Sequence, residues 1–206
     1  GGVWTGKWMK GKTPEGAQVL YTLNSKPLSL MIRDMNKNSI NPIARNLFLG
    51  ISEGTPGGAT RLASRNAVTQ WIASLGIPTE GFLIDNGSGL SRTARISTDQ
   101  LTGVLLAAGK KPWSPEFMSS LPIAGVDGTM KRRGLEEGGA HIKTGYIRGV
   151  RSVAGYVRSA SGTLYAVSAI VNDPKALGAK PVLDAVLNYA ASDGTPAASS
   201  PLPSER

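Results

Sequence analysis

The chain has 206 residues, of which 40% are hydrophobic, and it carries a formal net charge of +9 at pH 7. This length is sufficient for one domain with a substantial core. Because the chain contains no cysteine, disulfides, zinc–thiolate sites and thiol catalysis are excluded. The single histidine, His141, also argues against a histidine-based catalytic triad and a multi-histidine metal site.

The basic residues are scattered along the chain, and their tightest group is the short run Lys131-Arg132-Arg133. A nucleic-acid surface requires clustered charge with interleaved aromatic residues, so we expect no nucleic-acid partner. A carboxylate-bearing or anionic substrate fits the charge better. No apolar run approaches the roughly 20 residues that span a bilayer, so no transmembrane segment is expected. The first residues lack the basic-then-apolar pattern of a secretory signal, and the chain opens as if partway through a fold.

The spacing of apolar residues and of glycine and proline predicts the secondary structure. In chain order, the predicted elements are turns and short strands over 1–24, helices over 26–35, 40–51 and 60–75, a short strand over 82–84, a glycine-rich turn over 85–92, helices over 98–108 and 115–120, strands over 140–147, 152–158 and 163–171, and a helix from Pro181 to Ala190. Ser39 stands where the second helix should have its N-cap, and Pro42 falls in the first turn of that helix.

The C-terminal third predicts an antiparallel sheet. Residues 159–162 form a good hairpin turn between the last two strands. The strand over 163–171 is apolar on both faces, which is typical of a strand covered on both sides. Helices followed by an antiparallel meander and a covering helix indicate an α+β fold. We expect residues 1–191 to form the C-terminal portion of a domain, followed by a disordered tail over 192–206 that is rich in Gly, Pro, Ala and Ser.

The tripeptide Lys143-Thr144-Gly145 is the most informative motif. On an edge strand beside a cleft, Lys143 would supply positive charge and Thr144 a hydroxyl donor for a substrate carboxylate. Gly145 would let an extended peptide lie against the backbone. Strand alternation places Lys143 and Gly145 on one face and Thr144 on the other unless the strand twists. The bland alternative is an exposed strand residue followed by a turn glycine.

Ser39-Ile40-Asn41 is the second motif. Ser39 would relay a proton to a leaving amine, while the amide of Asn41 would hold a substrate carbonyl. The alternative is purely structural, with Ser39 as a helix N-cap and Asn41 in the first turn. Lys37 lies two positions before Ser39 and either tunes it electrostatically or is solvated.

The other candidates have weaker support. The turn over 85–92 lacks the ending of a phosphate-binding loop, and Ser88 lacks the surroundings of a nucleophile, so we interpret the turn as structural. His141 borders the predicted cleft on the strand of Lys143. Five acidic residues have no spacing that favours an acid–base pair, and we expect solvated charges at Asp99, Glu116, Asp127, Glu136 and Glu137.

Four stretches, in the same order and spacing, give the chain a resemblance to a known family. They are residues 34–41, 84–92, 121–128 and 140–155. On these motifs the chain resembles the class C low-molecular-weight penicillin-binding proteins, which are D-alanyl-D-alanine carboxypeptidases and endopeptidases. The resemblance covers roughly residues 2–190.

The resemblance implies a β-lactamase/transpeptidase-like fold and a serine acyl-enzyme mechanism on peptidoglycan stem peptides in a bacterial periplasm, without cofactor or metal. It also implies binding of β-lactam antibiotics. Carried onto this chain, Ser39, Asn41 and Lys143 take catalytic roles. Thr144 and Gly145 take substrate-binding roles, and the backbone N–H of Tyr146 is the second oxyanion-hole donor.

The chain departs from the family pattern in two ways. Ile40 stands where Asp or Asn is frequent, from which we expect a modest effect. No serine is followed three positions later by lysine, so the Ser-x-x-Lys nucleophile must lie elsewhere. We expect an N-terminal half, in the same protein or a separate chain, to supply it and the first sheet strands, and residues 1–206 alone to leave a sheet edge unpaired and inactive.

Two rival functions remain open. A non-catalytic peptidoglycan-binding module would keep the groove but lack a nucleophile. A β-lactamase would need a residue for deacylation, and none is evident in the sequence.

Overall fold

The computed structural model describes residues 1–135 and 139–194. Glu136, Glu137 and most of the predicted tail, 195–206, lie outside the described residues. Residues 1–27 run in an extended, exposed course and form no strand, so the short strands predicted there are wrong. The apolar residues of this segment find nothing to pack against within the described part of the chain, and Trp4 and Trp8 are 77% and 80% exposed.

Residues 28–120 form five helices, as the sequence predicts. These helices are α1 (Leu28–Asn38), α2 (Asn41–Gly50), α3 (Arg61–Ser74), α4 (Thr98–Gly109) and α5 (Ser114–Ser120). Thr60 caps α3 by accepting a hydrogen bond from the N–H of Ala63. Ser97 and Gln100 form a reciprocal capping box at the start of α4. These caps satisfy backbone N–H groups that have no partner inside their helices.

The C-terminal half forms an antiparallel sheet of three strands, β1 (Gly139–Ile147), β2 (Val150–Arg158) and β3 (Leu164–Asn172), in the order β1-β2-β3. β2 begins two residues earlier than predicted because Arg148 and Gly149 alone make the turn after β1, with Ile147 opposite Val150. Gly149 has a φ of 82°, which a two-residue hairpin turn favours.

Helices cover both faces of the sheet. On one face, α6 (Lys180–Ala191) packs Leu183 and Leu187 against Ile142 and Val153. On the other face, α4 and α5 pack against Tyr156, whose hydroxyl donates to the carbonyl oxygen of Leu105 at 2.6 Å. The prediction of an antiparallel sheet covered by helices is therefore confirmed.

Three local predictions are wrong. Ser39 is not the N-cap of α2; it ends α1, and Ile40 occupies the N-cap position without a capping side chain. Residues 82–84 form only an isolated bridge, between Leu83 and Arg95, because no longer strand lies alongside them. The apolar spacing of the helix over 60–75 predicts that Trp71 faces inward, but in α3 its side chain is 44% exposed.

Within the described part of the chain, β1 and β3 are the two edges of the sheet. The described residues contain no helix long and apolar enough to cross a membrane.

Candidate functional site

The structure brings together the two sequence motifs. β1 places Lys143 on the face of the sheet that α4 and α5 cover, and its Nζ donates hydrogen bonds to Ser39 Oγ and, at 3.1 Å, to the carbonyl oxygen of Thr144. Ser39 and Lys143 are 104 residues apart in sequence. Asn41 begins α2 two residues beyond Ser39 and is half-buried. Contact between the motifs thus depends on the tertiary fold.

Ser39 adopts a left-handed backbone conformation, with φ 55° and ψ 49°. Its N–H bonds to the carbonyl oxygen of Met35 and closes the last turn of α1. An L-residue in this conformation costs about 1–2 kcal/mol. Such strain persists only where surrounding contacts over-determine the conformation, and it clusters at functional sites. It turns the chain between α1 and α2 and presents the hydroxyl to Lys143.

Burial lowers the pKa of the Lys143 ammonium from its usual value, because the charged form is poorly solvated there. An ammonium donates and does not accept hydrogen bonds. The Oγ of Ser39 must therefore accept from Lys143, which leaves its own O–H free to donate elsewhere.

The residues after Lys143 shape an open edge. Thr144 lies on the opposite face, as strand alternation predicts, and its Oγ1 donates to Thr129 Oγ1 at 2.9 Å. Gly145 faces Ser152 so closely that a Cβ at this position would overlap Ser152 Oγ. Tyr146 is 53% exposed, and the guanidinium of Arg151 lies 4.9 Å from its ring centroid. A side chain at position 145 would therefore require the Ser152 hydroxyl to rotate away.

A cleft of about 610 Å³ continues from this edge. The end of β1 and the start of β2 form one wall, and residues 82–96 form the other. Ser39 and Lys143 do not line the cleft, but Gly145 does, and it shares a face of β1 with Lys143. Arg92 joins the walls by donating to the carbonyl oxygen of Arg148 at 2.6 Å. The sequence indicates only a structural turn over 85–92, and nothing in it points to this wall of the cleft.

Ser88 does have a structural role within that turn. Its N–H and its hydroxyl both donate to Asn86 Oδ1, at 3.0 and 2.7 Å. Gly87 packs against α2, where a Cβ would lie 2.6 Å from the Cβ of Phe48. His141 bonds through Nδ1 to the carbonyl oxygen of Met118 at 2.8 Å and is half-buried. None of these contacts leaves an activated nucleophile.

An ion pair that the sequence does not predict lies behind Ser39. From the sequence, Lys37 and Asp127 could both be solvated charges. In the structure, Lys37 Nζ lies 2.7 Å from Asp127 Oδ2, and the Lys37 side chain is only 8% exposed. Burial alone would raise the pKa of the Asp127 carboxyl. The hydrogen bonds from Lys37 and from the N–H of Ile123, with the charges of Lys37 and Arg33, outweigh it and hold the pKa below its usual value.

The geometry supplies a basic donor, a hydroxyl and an open strand edge. Among residues 1–135 and 139–194, no group of His, Cys, Asp and Glu side chains is placed to hold a metal ion.

Comparison with known proteins gives this site a family context. A D-alanyl-D-alanine carboxypeptidase of Actinomadura sp. (strain R39) is 34% identical over 158 residues, which are 73% of this chain and 29% of that protein. The D-alanyl-D-alanine carboxypeptidase DacB of Haemophilus influenzae is 31% identical over 173 residues, which are 81% of this chain and 36% of that protein. The chain therefore spans about a third of the length of these relatives.

Comparison with solved structures gives the same family context. The crystal structure of penicillin binding protein 4 (dacB) from Haemophilus influenzae superposes with a TM-score of 0.74 at 28% identity, covering 88% of this chain and 43% of that one. The same protein in complex with a β-lactam superposes with a TM-score of 0.67. These matches confirm the predicted β-lactamase/transpeptidase-like α+β fold. The D-Ala-D-Ala carboxypeptidase 3 (S13) family matches residues 1–191, and the chain belongs to that family, as its resemblance to class C low-molecular-weight penicillin-binding proteins implied.

Proposed function

We propose that this chain is the C-terminal portion of a serine-type D-Ala-D-Ala carboxypeptidase and endopeptidase that cuts peptidoglycan stem peptides in the periplasm and binds β-lactams. The nucleophile and its lysine belong to an N-terminal half outside residues 1–206. The observation that carries the proposal is the contact between Lys143 and Ser39 at an open strand edge, in a chain of the S13 family.

The reaction assigns a role to each part of the site. A serine of the N-terminal half attacks the carbonyl carbon between two D-alanines, and the C–N bond breaks as an acyl-enzyme forms. The proton of the attacking serine passes to the lysine of its Ser-x-x-Lys motif. Ser39 gives its hydroxyl proton to the leaving amine, and Lys143 stabilises the charge that develops on Ser39 Oγ, returns a proton to it and recovers one from the lysine of the motif. Water then hydrolyses the acyl-enzyme.

Substrate recognition falls to the edge of β1. The hydroxyl of Thr144 and the charge of Lys143 receive the terminal carboxylate. Gly145 lets the peptide lie against the strand, and the N–H of Tyr146 donates to the oxyanion. The amide of Asn41 holds a substrate carbonyl. Thr144 must exchange its bond to Thr129 for one to the carboxylate when substrate arrives.

The test is covalent labelling with a fluorescent penicillin. The protein that contains both this chain and the N-terminal half should be labelled on a serine of the N-terminal half and should release D-alanine from a stem pentapeptide. Lys143→Ala should slow the labelling by about a hundredfold, the size of effect typical of a lost proton-transfer group. Lys110→Ala, an exposed lysine at the end of α4, is the matched control. If the complete protein is never labelled, the proposed peptidase function is refuted.

One observation supports a second candidate. The chain has no serine followed three positions later by lysine, so alone it fits a non-catalytic peptidoglycan-binding module. That function predicts stem-peptide binding by the complete protein without penicillin label.

A further inference from the structure

Lys37 is a buried charge placed two residues before Ser39. Its Nζ lies 2.7 Å from Asp127 Oδ2 and donates to the carbonyl oxygen of Leu121, also at 2.7 Å. Lysine is almost never this deeply buried unless its charge is paired. The two bonds join the end of α1 to the segment 121–130, which follows α5 and which we call the brace.

The brace is pressed against the backbone around Ser39. Asp127 Oδ1 accepts from the N–H of Ile123 at 2.7 Å, which fixes the carboxylate. Gly128 has a φ of 54°, and a Cβ at this position would overlap the carbonyl oxygen of Lys37. The ion pair and this backbone contact therefore act on the same short stretch of chain, from Lys37 to Ser39.

The brace is also bonded to β1, the strand that carries Lys143. The N–H of Ala124 donates to the carbonyl oxygen of Ala140 at 2.9 Å, and the N–H of Ile142 donates to that of Pro122 at 2.8 Å. Near the end of the brace, Thr129 Oγ1 accepts from Thr144 Oγ1. One segment thus contacts both motifs, so it sets the position of Ser39 relative to Lys143.

We infer that Lys37 and Asp127 are positioning residues that hold Ser39, in its left-handed conformation, against Lys143. The catalytic role of this arrangement rests on the proposed function, whereas the positioning of Ser39 does not. Neither side chain is assigned a contact with substrate; both act through the backbone of the Ser39 loop. A catalytic side chain is placed accurately only when neighbouring residues that do not react hold it, and buried hydrogen bonds fix those neighbours.

The first test is amide hydrogen exchange by NMR on this chain with Asp127→Asn, which keeps the shape and removes the charge. The N–H groups of Ser39 and Ile40 both bond to the carbonyl oxygen of Met35. They should exchange about tenfold faster, the effect of weakening a hydrogen bond between charged groups. Amides of β2, at Val153 and Val157, should not change.

A general loss of stability would speed amide exchange throughout the core, including β2. Faster exchange at Ser39 and Ile40 with unchanged exchange in β2 would therefore indicate a local loss of positioning. The matched control is Asp34→Asn, which removes an exposed ion pair to Lys26, 2.8 Å long, from the same helix. It should leave Ser39 unchanged. Unchanged exchange at Ser39 and Ile40 in Asp127→Asn would overturn the inference. If that variant does not fold, Asp127→Glu displaces the carboxylate by one methylene while keeping its charge and is measured in the same way.

The second test uses the complete protein with its nucleophile. Asp127→Asn should reduce the rate of penicillin acylation by about tenfold to a hundredfold without weakening initial binding, as misplacement of a catalytic group does. Asp127→Glu should recover part of the rate, and Asp34→Asn should match the parent. An unchanged rate in Asp127→Asn would overturn the inference. If even the parent is never acylated, the proposed function fails, and the exchange at Ser39 and Ile40 decides the positioning role on its own.

Discussion

The left-handed conformation of Ser39 predicts an unusual order of stability among its variants. Ser39→Ala and Ser39→Gly both remove the hydroxyl that accepts from Lys143. The loss of that hydrogen bond is therefore common to the two variants and cancels in their comparison. They differ in the backbone, since alanine must keep a φ of 55° at the cost of strain, and glycine reaches it freely.

The size of the difference follows from two opposing terms. Relief of the left-handed strain favours glycine by about 1–2 kcal/mol. The greater freedom of glycine in the unfolded chain opposes this by roughly 0.5–1 kcal/mol. Ser39→Gly should therefore have a free energy of unfolding about 0.5–1 kcal/mol higher than that of Ser39→Ala.

Urea unfolding of the two variants measures this difference, provided that the free energy of unfolding falls with urea concentration at the same slope in both. Asn66, an exposed residue within α3, provides the control, because there alanine should be more stable than glycine by about 1 kcal/mol. If Ser39→Ala proved clearly more stable than Ser39→Gly, as the alanine variant should be at Asn66, residue 39 would not be left-handed, and Ser39 would not be presented to Lys143 in the way described. Under the proposed function, both variants should lack peptidase activity in the complete protein, because both remove the Ser39 hydroxyl.

Three further predictions concern the supporting structure. Leu187→Ala, at a fully buried position of α6, should lower the free energy of unfolding in urea by about 2–5 kcal/mol, while Val182→Ala on the exposed side should change it by less than about 0.5 kcal/mol. Because the folded pKa of Asp127 lies below its ordinary 3.8, its contribution to stability is present above that pH and is lost as the pH falls below it. Thermal unfolding between neutral and acid pH should show less acid destabilisation in Asp127→Asn than in the parent. Tyr156→Phe should cost about 1 kcal/mol by removing the bond to the Leu105 carbonyl. Because burial raises the pKa of Tyr156, ultraviolet titration of the variant should lose one of the late tyrosine ionisations of the parent, while that of Tyr165, whose pKa is also raised, remains.

Much of the secondary structure was predictable because local signals determine it. The helical period of apolar residues predicted the helices, and serine or threonine at their starts is explained by capping, as at Ser97. Alternation along β1 correctly placed Lys143 and Gly145 on one face and Thr144 on the other. The motifs predicted that Ser39 and Lys143 belong to one site, and the structure brings them into contact.

The sequence failed where tertiary contacts override a local preference. Serine before a helix predicts an N-cap, but at Ser39 the close approach of α1 and α2 requires a left-handed turn. Nothing within a few residues of Lys37 shows that its partner is Asp127, 90 positions away. A lysine and an aspartate that distant are indistinguishable from solvated charges until the fold is known.

The two edges of the sheet have different surroundings, and this difference indicates where the proposed N-terminal half belongs. The edge of β1 faces Ser39, the brace and the cleft, so a segment paired along it would block the place where a substrate peptide is proposed to lie. The edge of β3 carries no such machinery, and its outward backbone groups lack strand partners among residues 1–135 and 139–194. An unpaired edge of this kind is avoided in stable proteins, usually by adding a strand or a covering segment. The strand supplied by the N-terminal half should therefore pair with β3, which would leave the β1 edge open for substrate.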